Sequence, residues 1–487
     1  MRAVRFFLFS FFIAGMAAII GCKEDPAGPP SIVTPGDNEA IVYSRHISPI
    51  FANSCAGSEC HVGFRAASLS LESWNTLVEG SEFGSVVVPY SAARSHLFQH
   101  INTDTTLGPT ATPRMPLSLD PLPLEQIRTI YRWINEGAQN DAGQIPLAGE
   151  SLPRVFVTCQ SEDMVCAIDL QTEMVARYIE TGTRSNATSP PEATHNIALS
   201  PDGKFFYINL IAAGMVEKYD ARTFEKLGEV QVGLSPAQIR VTADGSTLYV
   251  SNFDLTFQQE FVNRVDATTM TSTDQIDIEG KAPHGVTLSK DERYLYTMNA
   301  GSDDISKVDL TTNEVVQRIP MVPGSPPAPA GQAQHEPYQS VIASNGLMFV
   351  TCRKSGQVRV VDLDAGIVID SINTGSRPLI PALSPDGREL WVPNQGTNTV
   401  SIIDVESRQV INTISNLLSQ PHAVAFTSNG DRAFISCENQ AGGENLHHPL
   451  EGTDIVPGIV YVADAATRNV TRTIEVAGFA AGIVVKE

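Results

Sequence analysis

The chain has 487 residues, 42% of them hydrophobic and 18% charged, so it is too long for one core and too apolar for disorder. Asp and Glu number 54 against 33 Lys and Arg, a net charge of −21. That surface repels phosphate backbones and excludes nucleic acid; it favours a basic partner, such as a redox protein with a basic docking face.

Residues 1–21, MRAVRFFLFSFFIAGMAAIIG, place Arg2 and Arg5 before an apolar run from Phe6 to Ile20. This is the pattern of an export signal, and the run is short for a spanning helix. Residues 22–40 are polar and Pro-rich, a flexible tether. Ile19-Ile20-Gly21-Cys22 resembles a bacterial lipobox. The resemblance implies cleavage before Cys22, acylation of that residue, and attachment to a lipid membrane in the cell envelope. Lys23 stands where an inner-membrane retention Asp would be, so by the same resemblance the outer membrane is favoured.

A first folded domain is expected over 41–142. Ser48-Pro49 reads as a helix start, with Ser as N-cap. Cys55-Ala-Gly-Ser-Glu-Cys60-His61 follows, a longer-spaced form of the C-x-x-C-H haem attachment motif. Two thiols can add to the haem vinyl groups while His61 presents an imidazole to the iron. A Cys55–Cys60 disulfide and a zinc site are the alternatives. Met115-Pro116 comes later, then a helix over Leu124–Ile134 with Ile127, Ile130, Tyr131 and Ile134 on one face and Gly137 to end it. In this order the motifs resemble a family of small bacterial cytochrome c domains over about 90 residues. The resemblance implies an all-α domain with one haem c, bound through Cys55 and Cys60, with His61 and Met115 as axial ligands. His96 and His100 are rival sixth ligands.

Residues 153–487 repeat. A hydrophobic strand ending in a short tetrad recurs seven times: at Phe156, Tyr207, Tyr249, Tyr296, Phe349, Trp391 and Phe434. Each is followed by an apolar strand ending in Asp: Asp169, Asp220, Asp266, Asp309, Asp362, Asp404 and Asp464. Asp-Gly turns such as Asp202-Gly203 punctuate the period. Short alternating strands at this period predict a seven-bladed all-β propeller, and the tetrads resemble the bacterial propellers named for a Tyr-Val-Thr-Asn repeat. The Asp residues read as turn formers. The last strand, Gly482–Glu487, has no blade of its own and is expected to close the ring onto the first repeat. Cys159 and Cys166 face each other across a hairpin. The insert Glu438–Pro457, carrying His447-His448, reads as a long loop on one face.

Counting back eight positions from the turn residues Gly203, Glu292 and Gly430 reaches His195, His284 and His422. Tyr338 (with His335 near it), Ala237 and Leu379 hold the position in three other repeats. These side chains are expected at the channel mouth, where a second metal could bind, or where they merely bond backbone and water. The reading drawn from all this is a membrane-anchored c-type cytochrome that transfers electrons, with the propeller as docking platform. Two alternatives stand beside it: a redox enzyme with a second metal or haem at the channel, and a surface binding or adhesion protein. By analogy, cytochrome-plus-propeller nitrite reductases fit the second, but they have eight blades and this chain counts seven.

Overall fold

The structure is a computed structural model and describes residues 30–487 except 57–59, 150–151, 184–189, 416, 418, 442–449 and 452. The leader, Cys22 and His447-His448 lie outside the described residues. Among the described residues no helix is long and apolar enough to cross a membrane.

Seven four-stranded antiparallel sheets form the propeller. The first blade runs Ala480–Lys486, Arg154–Cys159, Met164–Asp169 and Met174–Glu180 from axis to rim. The C-terminal strand is thus its innermost member, with Val157 opposite Ile483 and Val155 opposite Val485. The ring closes as the sequence predicts, and no inner edge is left bare. The blades adhere through apolar faces: the Phe156 and Phe206 rings of neighbouring blades lie 5.0 Å apart, both fully buried.

All seven Asp residues accept from backbone N–H groups two or three residues on, as from Thr172, Thr223, Thr269, Thr311, Ala365, Ser407 and Thr467. Their role is turn geometry. Cys159 and Cys166 are fully buried free thiols. The register sets Cys159 opposite Met164 and Cys166 opposite Val157, so the two cysteines are diagonal and not directly paired.

Residues 43–138 build a separate core around Phe51, Leu77, Phe98, Ile127, Ile130, Trp133 and Ile134. The helix Leu124–Asn135 buries Ile127, Ile130 and Ile134 as expected, with Trp133 fully buried and Tyr131 only half-buried, and ends before Gly137, whose φ of 105° suits glycine. Ser48 is not an N-cap, because the helix Ser48–Ser54 continues from a preceding turn, Tyr43–Ile47. The expectation of a distinct all-α cytochrome c-like domain needs correction. Its helices are short, and Thr110–Ala111 is a strand that pairs with Leu450–Glu451 of the blade-seven insert. Arg94 also reaches Glu162 of blade one at 2.6 Å, and the Arg177 guanidinium lies 3.6 Å over the Tyr90 ring. The unit is therefore knitted to the rim of blades one and seven.

Candidate functional site

One local rule places a side chain from each blade at the channel mouth. The residue two positions before each channel residue has a left-handed backbone: Ala193, Ser235, Ala282, Glu336, Arg377, Gln420 and Phe479. None is glycine, so the strain is maintained seven times by its surroundings. Each of these residues offers its carbonyl to the N–H just past the tetrad of its own blade, from Ile211, Phe253, Ala300, Arg353, Gln395, Glu438 and Gln160 respectively. The strand then bulges. Pro283 and Gly285 pair with Asn299 and Met298, leaving His284 out of register, and His422 is left out in the same way between Pro421 and Ala423. A bulge re-aims a side chain, here toward the axis.

His195, His284 and His422 converge as the sequence count predicts. The His195 ring is 5.1 Å from that of His422 and 6.2 Å from that of His284, edge to face in both cases. Each Nδ1 has its own oxygen partner: Gln160 Oε1 at 2.7 Å for His195, the Tyr338 carbonyl at 3.0 Å for His284, and Glu438 Oε1 at 2.7 Å for His422. Their backbones are held from the preceding blade. Thr158 and Ser251 hydroxyls donate to the carbonyls of His195 and His284, both at 2.5 Å. Pro393 has no hydroxyl, and the Ile380 N–H serves His422 instead at 3.1 Å.

Burial, and then His422, lower the His195 pKa to about 3; burial, then His195, hold His284 well below the ordinary value. Both rings are neutral at pH 7. His422 Nε2 is buried without a hydrogen-bond partner, as are Gln238 Nε2 and Gln339 Nε2 on the innermost strands of blades three and five. Phe253 packs edge-on to His284, Tyr338 stacks on it at 3.4 Å, and Phe479 lies 6.3 Å from His422. Lys281 and Arg353 flank the same face paired with Glu260 and Glu336, and Arg377 makes no ion pair among the described residues. Among the described residues no three His, Cys, Asp or Glu side chains are disposed to hold a bare metal ion. The mouth offers single imidazoles on an aromatic floor, which suits a flat macrocycle with its own metal.

Residues 163–475 match the family described as cytochrome D1 heme domain. The chain belongs to the cytochrome D1 haem domain family. Protein NirF of Pseudomonas aeruginosa is 27% identical over 251 residues, covering 49% of this chain and 63% of NirF. The uncharacterized protein YncE of Salmonella typhimurium is 23% identical over 211 residues, covering 43% and 56%. The chain thus spans roughly six-tenths of the length of these curated relatives. Among solved structures, dihydro-heme d1 dehydrogenase NirN in complex with DHE overlaps at a TM-score of 0.49 and 14% identity, over 83% of this chain and 94% of that one.

Membership of the cytochrome D1 haem domain family overturns the expected function. The matched residues are the propeller, so the propeller is not a docking platform for an electron-transferring c-type cytochrome lipoprotein. The haem link lies in the blades themselves.

The other predicted site residues gather in the N-terminal unit. Cys55, His61 and Met115 line one apolar cavity of about 270 Å³, together with His96, His100, Phe51 and Leu97. Burial, and then the Cys60 thiol, push Cys55 up to about 12; Cys60 is not among the residues lining the cavity. His61 Nδ1 is buried without a partner. The Met115 N–H donates to the His100 carbonyl at 2.7 Å, and His100 Nδ1 meets the Pro113 carbonyl at 2.7 Å. Sequence reasoning missed Glu438 and the hydroxyls of Thr158 and Ser251. Tetrad positions carry the hydroxyl signal, but their targets lie in the next blade.

Proposed function

We propose that the propeller binds a d1-type haem across the channel mouth, at the face carrying His195, His284 and His422. The carrying observation is the buried, unpartnered Nε2 of His422 on the axis of a D1 haem domain propeller. An orphaned buried nitrogen costs about 1–3 kcal/mol, which a ligand would recover. Phe253, Tyr338 and Phe479 can stack on a macrocycle. The guanidinium of Arg377 is exposed, makes no ion pair among the described residues, and can meet a carboxylate substituent. The bound iron would supply redox and ligand-exchange chemistry; the protein's part is to orient the ring and exclude water. The test is an optical titration of the apo-protein with isolated haem d1 and with haemin. One-to-one binding with a shifted visible spectrum, lost in the His195, His284 and His422 triple Ala variant, is expected. An unchanged spectrum overturns the reading.

The cavity over His61 supports a second cofactor position, a haem c attached through Cys55 and Cys60 with His61 and Met115 facing it. Protein matured with haem-attachment machinery should keep its pigment in denaturing gels, and Cys60→Ser should lose one thioether. Absence of haem-linked mass in the wild type sinks this proposal. Envelope attachment through acylated Cys22 rests on the lipobox alone: Cys22→Ser should release the protein from membranes. A basic protein partner rests on the net charge of −21.

A further inference from the structure

We propose that Glu438 is a positioning residue that makes His422, rather than His195 or His284, the imidazole that ligates the tetrapyrrole iron; this rests on the haem-binding reading above. Three observations carry it. The first is charge. All three channel histidines have an oxygen acceptor at Nδ1, but those of His195 and His284 are a neutral amide and a backbone carbonyl. Only His422 faces a carboxylate, at 2.7 Å. A carboxylate behind an imidazole fixes the proton on Nδ1, turns the Nε2 lone pair outward and raises its basicity as a ligand.

The second is the unbalanced burial of that carboxylate. Glu438 is 4% exposed, and among the described residues it makes no ion pair with a lysine or arginine. Its remaining partner is the Gln395 side-chain amide, which donates to the same oxygen. Its side chain is thus spent on orienting His422 and Gln395 rather than on a cation, and it stands directly behind the imidazole whose Nε2 faces the channel.

The third is placement. The Glu438 N–H bonds the carbonyl of Gln420, the left-handed residue before His422, so acid and imidazole are set by one turn of blade seven. The equivalent position in the other six blades holds no acid: it is Gln160, Ile211, Phe253, Ala300, Arg353 and Gln395. By contrast, His284 is covered on its face by Tyr338 at 3.4 Å. His422 Nε2 alone among the three is both buried and unpartnered.

The experiment compares the wild type with Glu438→Gln, Glu438→Asp, His422→Ala, His195→Ala and His284→Ala, each checked for an unchanged circular dichroism spectrum. Ferric and ferrous haem d1 are titrated separately, and the reduction potential of the bound haem is measured. Glu438→Gln should weaken ferric binding at least tenfold, leave ferrous binding nearly unchanged and raise the potential; Glu438→Asp should restore most of the loss. His422→Ala should remove the low-spin ligand signature. Ferric affinity and potential unchanged in Glu438→Gln would overturn the inference. So would a ligand signature that survives His422→Ala and vanishes in His195→Ala or His284→Ala. Failure of the wild type to bind either haem would fell the functional reading itself, and this inference with it.

Discussion

The Ser251 hydroxyl in blade three donates to the carbonyl of His284 in blade four at 2.5 Å, and both residues are buried. A tetrad residue of one blade thereby holds the channel residue of the next. Ser251→Ala leaves that carbonyl without this donor and should cost about 1–3 kcal/mol. Thr351 holds Leu379 in the same way at 2.7 Å, so Thr351→Val should cost a similar amount. Thermal unfolding measures both. Only Ser251→Ala should also alter haem titration, since it loosens His284 and the Tyr338 and Phe253 rings packed on it at the channel mouth, whereas Leu379 carries no polar or aromatic group. Equal haem binding by all three proteins would mean the hydroxyl holds blades together and does not tune the site.

Acid should destabilise the apo-protein through His195. Its folded pKa of about 3 lies below the 6.5 of the free side chain. Between those values the unfolded chain binds a proton that the folded chain refuses. Stability is therefore full above about pH 6.5 and falls as pH drops toward 3, by up to ~1.4 kcal/mol per pH unit. Urea unfolding at pH 7, 5 and 4 gives the slope, and His195→Gln should reduce it, the part that remains including that of His284, which is lowered in the same direction. An identical slope in that variant would assign the acid limb to other groups.

Deleting 482–487 removes most of the strand that pairs with Arg154–Cys159. The first blade would lose its inner ladder and the ring its closure. The midpoint of unfolding should fall far beyond the shift from a typical surface substitution, ~1 kcal/mol or less. An unshifted midpoint would mean that the ring is held without this strand.

The N-terminal unit should loosen from the propeller in Arg94→Met. Glu162 has a side chain only 5% exposed and would lose its cation. Its other bond, from the Gly478 N–H at 2.6 Å, cannot neutralise it. Breaking such a pair costs roughly 3–5 kcal/mol. Faster proteolysis between the two units, with the propeller core intact, is the expected readout. Unchanged cleavage would show that the Thr110–Ala111 pairing with Leu450–Glu451 suffices.

The sequence alone determined the number of blades, the closing strand, the Asp turns and the channel position of His195, His284 and His422. These are repeated local patterns, and a period written seven times outweighs the ambiguity of any one short strand. It also named Cys55, Cys60, His61 and Met115 as a set; Cys55, His61 and Met115 share one cavity, and Cys60 is not in its lining. Tertiary structure decided the rest. Strand bulges, a left-handed residue in each blade and hydroxyls reaching across blade boundaries aim the histidines, and none of these is visible within one repeat. Helix propensity and motif order could not show that the N-terminal unit is tied into the blade-seven insert by a strand. Nor could they show that Glu438, at the start of that insert, turns back onto His422. A charge buried beside an imidazole depends on which loop folds over which strand, and that is set by packing between distant segments, not by the residues next to it in the chain.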